Sequence, residues 1–170
     1  MSGVAKASGV TKSLIHHHFG TKQALWRAVK QRCFAEYHTE QMGLLTSPVA
    51  LSVAVLQESM QAYFRFLLDH PEVIRLNAWV HLEGDRQNAE PVVEMRDAGI
   101  ARITAAQELG LLSKDVPAPL LFLTFLGMVQ AWFTDPARQN RAEGNERDAA
   151  LSYLDSAWKI FACGVSAAPL

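Results

Sequence analysis

This sequence predicts an all-α fold, a small helix-turn-helix head on a larger helical body. Three observations carry that expectation. Apolar residues recur at three- and four-residue spacing along most of the chain. Capping residues, glycines and prolines punctuate those segments at helix-like intervals. Nowhere does a sustained apolar/polar alternation argue convincingly for a strand. With 170 residues, 49% of them apolar, the chain has enough apolar surface for a substantial core, and no repeat or low-complexity tract interrupts it.

Val4–Ser8 reads as a short helix stopped by Gly9, and Thr11–Phe19 as a second, opened by Thr11 as N-cap and closed by Gly20. Thr21 caps a third helix reaching Gln41, with Leu25, Val29, Cys33 and Phe34 along one face. Ser47-Pro48 places a cap before a first-position proline, and the helix it opens carries Leu56, Met60, Tyr63, Phe64 and Leu67 until His70-Pro71. Glu72–Leu82 is a shorter helix before the turn Gly84-Asp85. From Glu90-Pro91 a helix carries Val92, Met95, Gly99, Ile103 and Ala106 on one side and closes near Gly110. Pro117 or Pro119 starts an apolar run through Phe133, which Thr134-Asp135-Pro136 breaks. After a loop to Asn145, the last helix bears Leu151, Leu154, Trp158 and Phe161. The boundary between head and body is placed at 1–42 and 43–170.

Charge is divided unevenly. Met1–Ala35 holds Lys6, Lys12, Lys22, Arg27, Lys30 and Arg32 and no acid. The other 135 residues hold 10 basic and 17 acidic residues, a net of −7 against +6. One basic end on an acidic body is the electrostatic footprint of a protein that meets a polyanion with that end. The longest apolar run, Leu120–Phe133, falls short of the roughly 18 residues of a membrane span. Cys33 and Cys163 read as two reduced thiols on helical segments, which together with the absence of a secretory pattern predicts a cytoplasmic protein.

In a helix-turn-helix the second helix enters the major groove. Gly9 supplies the turn, Val10, Ile15 and Phe19 are expected to face inward, and Thr11, Lys12, Ser13, His16, His17 and Lys22 remain for the outer surface. Lysine and hydroxyl groups suit phosphate oxygens, and Lys12, Ser13 and His17 are placed to reach base edges. Three successive histidines do not make a metal site, because consecutive helical residues diverge by about 100°. For His16 and His17 DNA contact outweighs simple cover for the core; for His18 the two readings stand level.

The stretch Val4-Ala5-Lys6-Ala7-Ser8-Gly9-Val10-Thr11-Lys12-Ser13-Leu14-Ile15-His16-His17-His18-Phe19-Gly20-Thr21-Lys22 resembles the DNA-binding signature of TetR-family transcriptional regulators. The shared features are the small-residue Gly-Val turn, the Thr-Lys opening, the His-Phe ending, and Gly-Thr-Lys after it. His16 and His18 stand where that family usually has tyrosine. Ala78-Trp79 with Leu82-Glu83-Gly84, and Glu108-Leu109-Gly110 leading to Lys114-Asp115, are further landmarks. The resemblance implies phosphate contacts from Thr11, His16 and Lys22, base contacts from Lys12, Ser13 and His17, and a homodimeric repressor on palindromic double-stranded operator DNA, released by a small apolar effector. In such a head a further helix packs across Val4, Ile15, Phe19 and Leu25. Before Met1-Ser2-Gly3 there is no room for it, so the expectation is a truncated head with weak operator binding. The competing reading is a helical dimerisation or ligand-binding module that no longer binds DNA.

For the body, Met60, Phe64, Trp79, Met95, Ile103, Phe122, Phe125 and Met128 are the pocket candidates, with Asn77, His81 and Gln130 as polar contacts. Each apolar candidate, taken singly, serves equally as core. Leu120 to Phe133, with Leu151, Leu154, Trp158 and Phe161, carries apolar surface suited to a four-helix dimer interface. No Gly-x-Ser-x-Gly elbow, phosphate loop, His-Glu-x-x-His or Cys-x-x-Cys motif is present, which argues against an enzyme and calls for no cofactor or metal.

Overall fold

A computed structural model describes residues 1–47, 52–84, 90–135 and 146–165. Eight helices occupy the described residues: α1 (Ser2–Ser8), α2 (Lys12–Phe19), α3 (Lys22–Leu45), α4 (Val53–Asp69), α5 (Pro71–Leu82), α6 (Glu90–Glu108), α7 (Ala118–Thr134) and α8 (Glu146–Val165). No helix among them is long and apolar enough to cross a membrane.

The head follows its caps. Gly9 ends α1 with φ 71°, a left-handed conformation that only glycine adopts without strain. The Thr11 hydroxyl accepts the Leu14 N–H at 3.2 Å to open α2, and the Thr21 hydroxyl accepts the Ala24 N–H at 3.0 Å to open α3. α3 runs past the expected end at Gln41 to Leu45, so the boundary at 42/43 falls inside one continuous helix. Packing in the head departs from expectation. Ile15 is buried, but Val10 and Phe19 are 38% and 37% exposed, and α1 itself buries no residue.

In the body, α3 lies against α4 and α6, while α7 contacts α4, α6 and α8. Met60 and Phe64 are wholly buried at the centre, joined by Leu67, Val73, Val129 and Phe161. Full burial of each such side chain contributes about 1.5–3 kcal/mol. A buried polar clasp ties α3 to α4: the Ser59 hydroxyl donates to Gln41 Oε1 at 2.7 Å, and Gln41 Nε2 donates to the Ser59 carbonyl at 3.2 Å. Gln107 Nε2 donates to the carbonyls of Ser113 and Val116, fixing the turn between α6 and α7. α4 begins at Val53 behind Ser52; the start expected at Ser47-Pro48 runs into residues 48–51, outside the described ones. Asp85 and the loop from Pro136 to Asn145 also lie outside them.

Candidate DNA interface and ligand cavity

Two surfaces concentrate the chemistry. At the first, Thr11, Lys12, Ser13, His16 and His17 on α2, with Lys22 at the start of α3, are all exposed. The Thr11 oxygen caps α2, which leaves its O–H as the group available to a phosphate. His16 Nδ1 lies 3.1 Å from the Gly20 carbonyl. A carbonyl only accepts, so Nδ1 carries the proton, and His16 donates through Nε2 to a phosphate only as imidazolium. His17 and His18 rings stand edge to face at 5.7 Å rather than converging. Among the described residues no group of three or more His, Cys, Asp or Glu is placed to hold a metal ion. Of the six basic residues in the first 35, Lys30 is 5% exposed and belongs to the interior; Lys6, Lys12, Lys22, Arg27 and Arg32 remain on the surface.

The second surface is an open cavity of about 880 Å³ between one face of α5 and the last turn of α7. Ile74, Asn77, Ala78, His81 and Leu82 line it from α5 at helical spacing; Gln130, Phe133 and Thr134 line it from α7, and Leu67 from α4. The three polar residues expected of a pocket therefore do line it. None of the eight apolar candidates does. Met60, Phe64, Met95, Ile103 and Phe125 are buried in the core, Phe122 and Met128 pack half-buried against it, and Trp79 projects outward with 54% exposure. Large apolar side chains in the middle of packed helices fill the interior, whereas the cavity opens between α5 and the end of α7. The α5 spacing 74, 77, 78, 81, 82 was the sequence signal for this wall.

Gln130 reaches from the cavity wall toward the core, its Nε2 donating to the Tyr63 hydroxyl at 2.9 Å. Burial pushes the Tyr63 phenol up from its ordinary pKa, with the Gln130 hydrogen bond acting the other way. Its ring lies 5.4 Å from that of Tyr37 on α3, which stacks at 4.5 Å on Phe66. Burial, with Tyr63 and Glu40 nearby, raises the Tyr37 phenol well above its usual pKa.

Residues expected at a dimer surface divide between inside and outside. Leu154 and Phe161 are buried within one chain, Phe133 and Trp158 half-buried, and Leu120 and Leu151 exposed. Phe133 instead lines the cavity. The outward faces of α7 and α8 carry Leu120, Leu123, Gly127 and Ala131, and Ile160 and Gly164, in that order.

The family model described as "Tetracyclin repressor-like, C-terminal domain" matches residues 56–154, and "Bacterial regulatory proteins, tetR family" matches residues 1–29. No curated protein matches the chain. Among solved structures, a protein with unknown function from Rhodococcus sp. RHA1 shares the fold with a TM-score of 0.69 at 21% identity, over 97% of this chain and 84% of that one. The reduced form of E. coli NemR does so with a TM-score of 0.56 at 17% identity, over 100% of this chain and 88% of that one.

Proposed function

The chain belongs to the TetR family of DNA-binding transcriptional regulators, and from that premise we propose that it is a homodimeric repressor whose hold on operator DNA is released when a small molecule occupies the α5–α7 cavity. The observation that carries the DNA half is the exposed set Thr11, Lys12, Ser13, His16, His17 and Lys22, on the basic end of a chain that is otherwise acidic. Lys12, Ser13 and His17 face base edges, while Thr11, His16 and Lys22 hold phosphates. The ligand half rests on a cavity whose volume falls within the range of small-molecule sites and whose walls are mostly apolar with a few polar groups.

Titration against the DNA upstream of its own gene, at several salt concentrations, tests the first half. Lys22→Ala should weaken binding and flatten the slope of log K against log salt by about 1.8, the worth of two phosphate contacts, one from each protomer. A slope identical to the unmodified chain removes Lys22 from the interface. No binding by the unmodified chain at low salt favours the helical module that leaves DNA alone. Adding Nile red, an uncharged apolar dye, to the preformed complex tests the second half: release supports it, and dye binding without release refutes it.

A further inference from the structure

The cavity wall has a charge character that its size alone does not reveal. Leu67, Ile74, Ala78, Val80, Leu82 and Phe133 are apolar, Asn77, His81, Gln130 and Thr134 are polar, and among the described residues no Lys, Arg, Asp or Glu lines it. An ionic ligand would give up its hydration there without a fixed counter-charge, which is strongly unfavourable. A carboxamide such as that of Gln130 has two N–H donors and one carbonyl acceptor. One N–H goes to the Tyr63 hydroxyl, and Tyr63, only 5% exposed, is itself held between Tyr37 and the core. Gln130 is thereby anchored from behind, and its second N–H and its carbonyl oxygen are left to pair with a ligand.

We propose that the cavity takes an uncharged, mostly apolar molecule bearing an accepting oxygen, and that Gln130, held in place by Tyr63, is the residue that selects it. This rests on the reading of the cavity as the effector site. The ligand oxygen accepts the second Gln130 N–H while its apolar part lies against Ile74, Leu82 and Phe133. Tyr63 is a positioning residue: it touches Gln130 rather than the ligand. Without its hydroxyl the Gln130 side chain regains rotamer freedom, and each bound complex must order it anew.

The test is displacement of Nile red from the full chain by three molecules with the same ring system. 2-Acetylnaphthalene carries the carbonyl, 2-ethylnaphthalene is the analogue with that oxygen removed, and 2-naphthoate is the anion. In the unmodified chain the acetyl compound should bind roughly tenfold tighter than the ethyl compound, the effect of one net hydrogen bond, and the naphthoate most weakly. Gln130→Leu should bring acetyl and ethyl to within about twofold of each other. Tyr63→Phe should reduce the ratio to an intermediate value while leaving ethylnaphthalene affinity unchanged, an outcome that a general loosening of the fold would not give. Equal binding of acetyl and ethyl compounds by the unmodified chain, or a ratio that survives Gln130→Leu, overturns the proposal. A ratio undiminished in Tyr63→Phe removes Tyr63 from it. Tightest binding by naphthoate shows instead a site for anions, paired with His81. If Nile red itself does not bind, the cavity is not an effector site, and the reading beneath the proposal falls with it. Should Tyr63→Phe fail to fold, Gln130→Leu decides the matter alone.

Discussion

Gly99 on α6 faces the Phe122 ring of α7. A Cβ there would meet Phe122 Cε2 at 2.6 Å and Cδ2 at 3.0 Å, so the ring must shift to admit it. Gly99→Ala gains about 1 kcal/mol of helix propensity and loses about 1–3 kcal/mol to overpacking. Overpacking wins, so the urea midpoint should fall. Gly43→Ala, on the open side of α3 with nothing near it, should raise the midpoint by the propensity alone. The buried tyrosines set an alkaline limit. Tyr37 has a folded pKa above its ordinary 10.0, so its stabilising contribution is full below pH 10 and is lost as pH rises beyond it. The melting temperature should decline above about pH 10, and Tyr37→Phe should decline less steeply. Identical profiles would mean another group governs that limit. At this scale the sequence was only half informative. Asn77, His81 and Gln130 stood out as polar residues on apolar helices, but Phe64 and Trp79 looked alike as aromatics, and only packing sends one to the centre and the other to the surface.

Helices were legible wherever a cap or a stop wrote their ends. Thr11, Thr21, Gly9, Gly20 and Gly110 each act at the position their chemistry suggests. Thr21→Ala should therefore destabilise by about 1 kcal/mol, read as a lower melting temperature with far-UV helicity largely kept. No loss would mean that packing of α3 against α4 and α6 sustains its first turn unaided. Where the chain lacks a local stop the sequence was silent. α3 passes Gln41 because Gln41 itself is buried and clasped to Ser59, a tertiary bond that no local pattern encodes. The same reason hid the exposure of Val10 and Phe19: an apolar residue announces that it can be covered, not that a neighbour covers it.

For the whole molecule, the helix order and the polarity of charge were readable, but which faces of α7 and α8 look outward was not. Leu154 and Phe161 share a stripe with Trp158 in sequence, yet the fold turns the first two inward and exposes Leu123 and Ile160 at 65% and 67%. Charge at the outward face should therefore separate a dimer: Leu123→Asp or Ile160→Asp should sediment as a monomer with an unchanged helical spectrum. Leu154→Asp should instead unfold the chain. A dimer that withstands both outward substitutions must be built elsewhere.

α3 has a mechanical consequence of its own. At 1.5 Å per residue, the 12 residues from Phe34, buried in the core against Phe66, to Lys22 make a lever arm of roughly 18 Å, running from the body to the residue that follows the recognition helix. A tilt of about 10° at the core end of that arm displaces Lys22 by about 3 Å, close to one base-pair step. In a two-fold dimer both arms swing, and head separation changes by up to twice that against half-sites spaced about 34 Å apart. On the proposed reading of a dimer that releases DNA, a tilt of that size in each α3 is enough to put the two heads out of register with DNA.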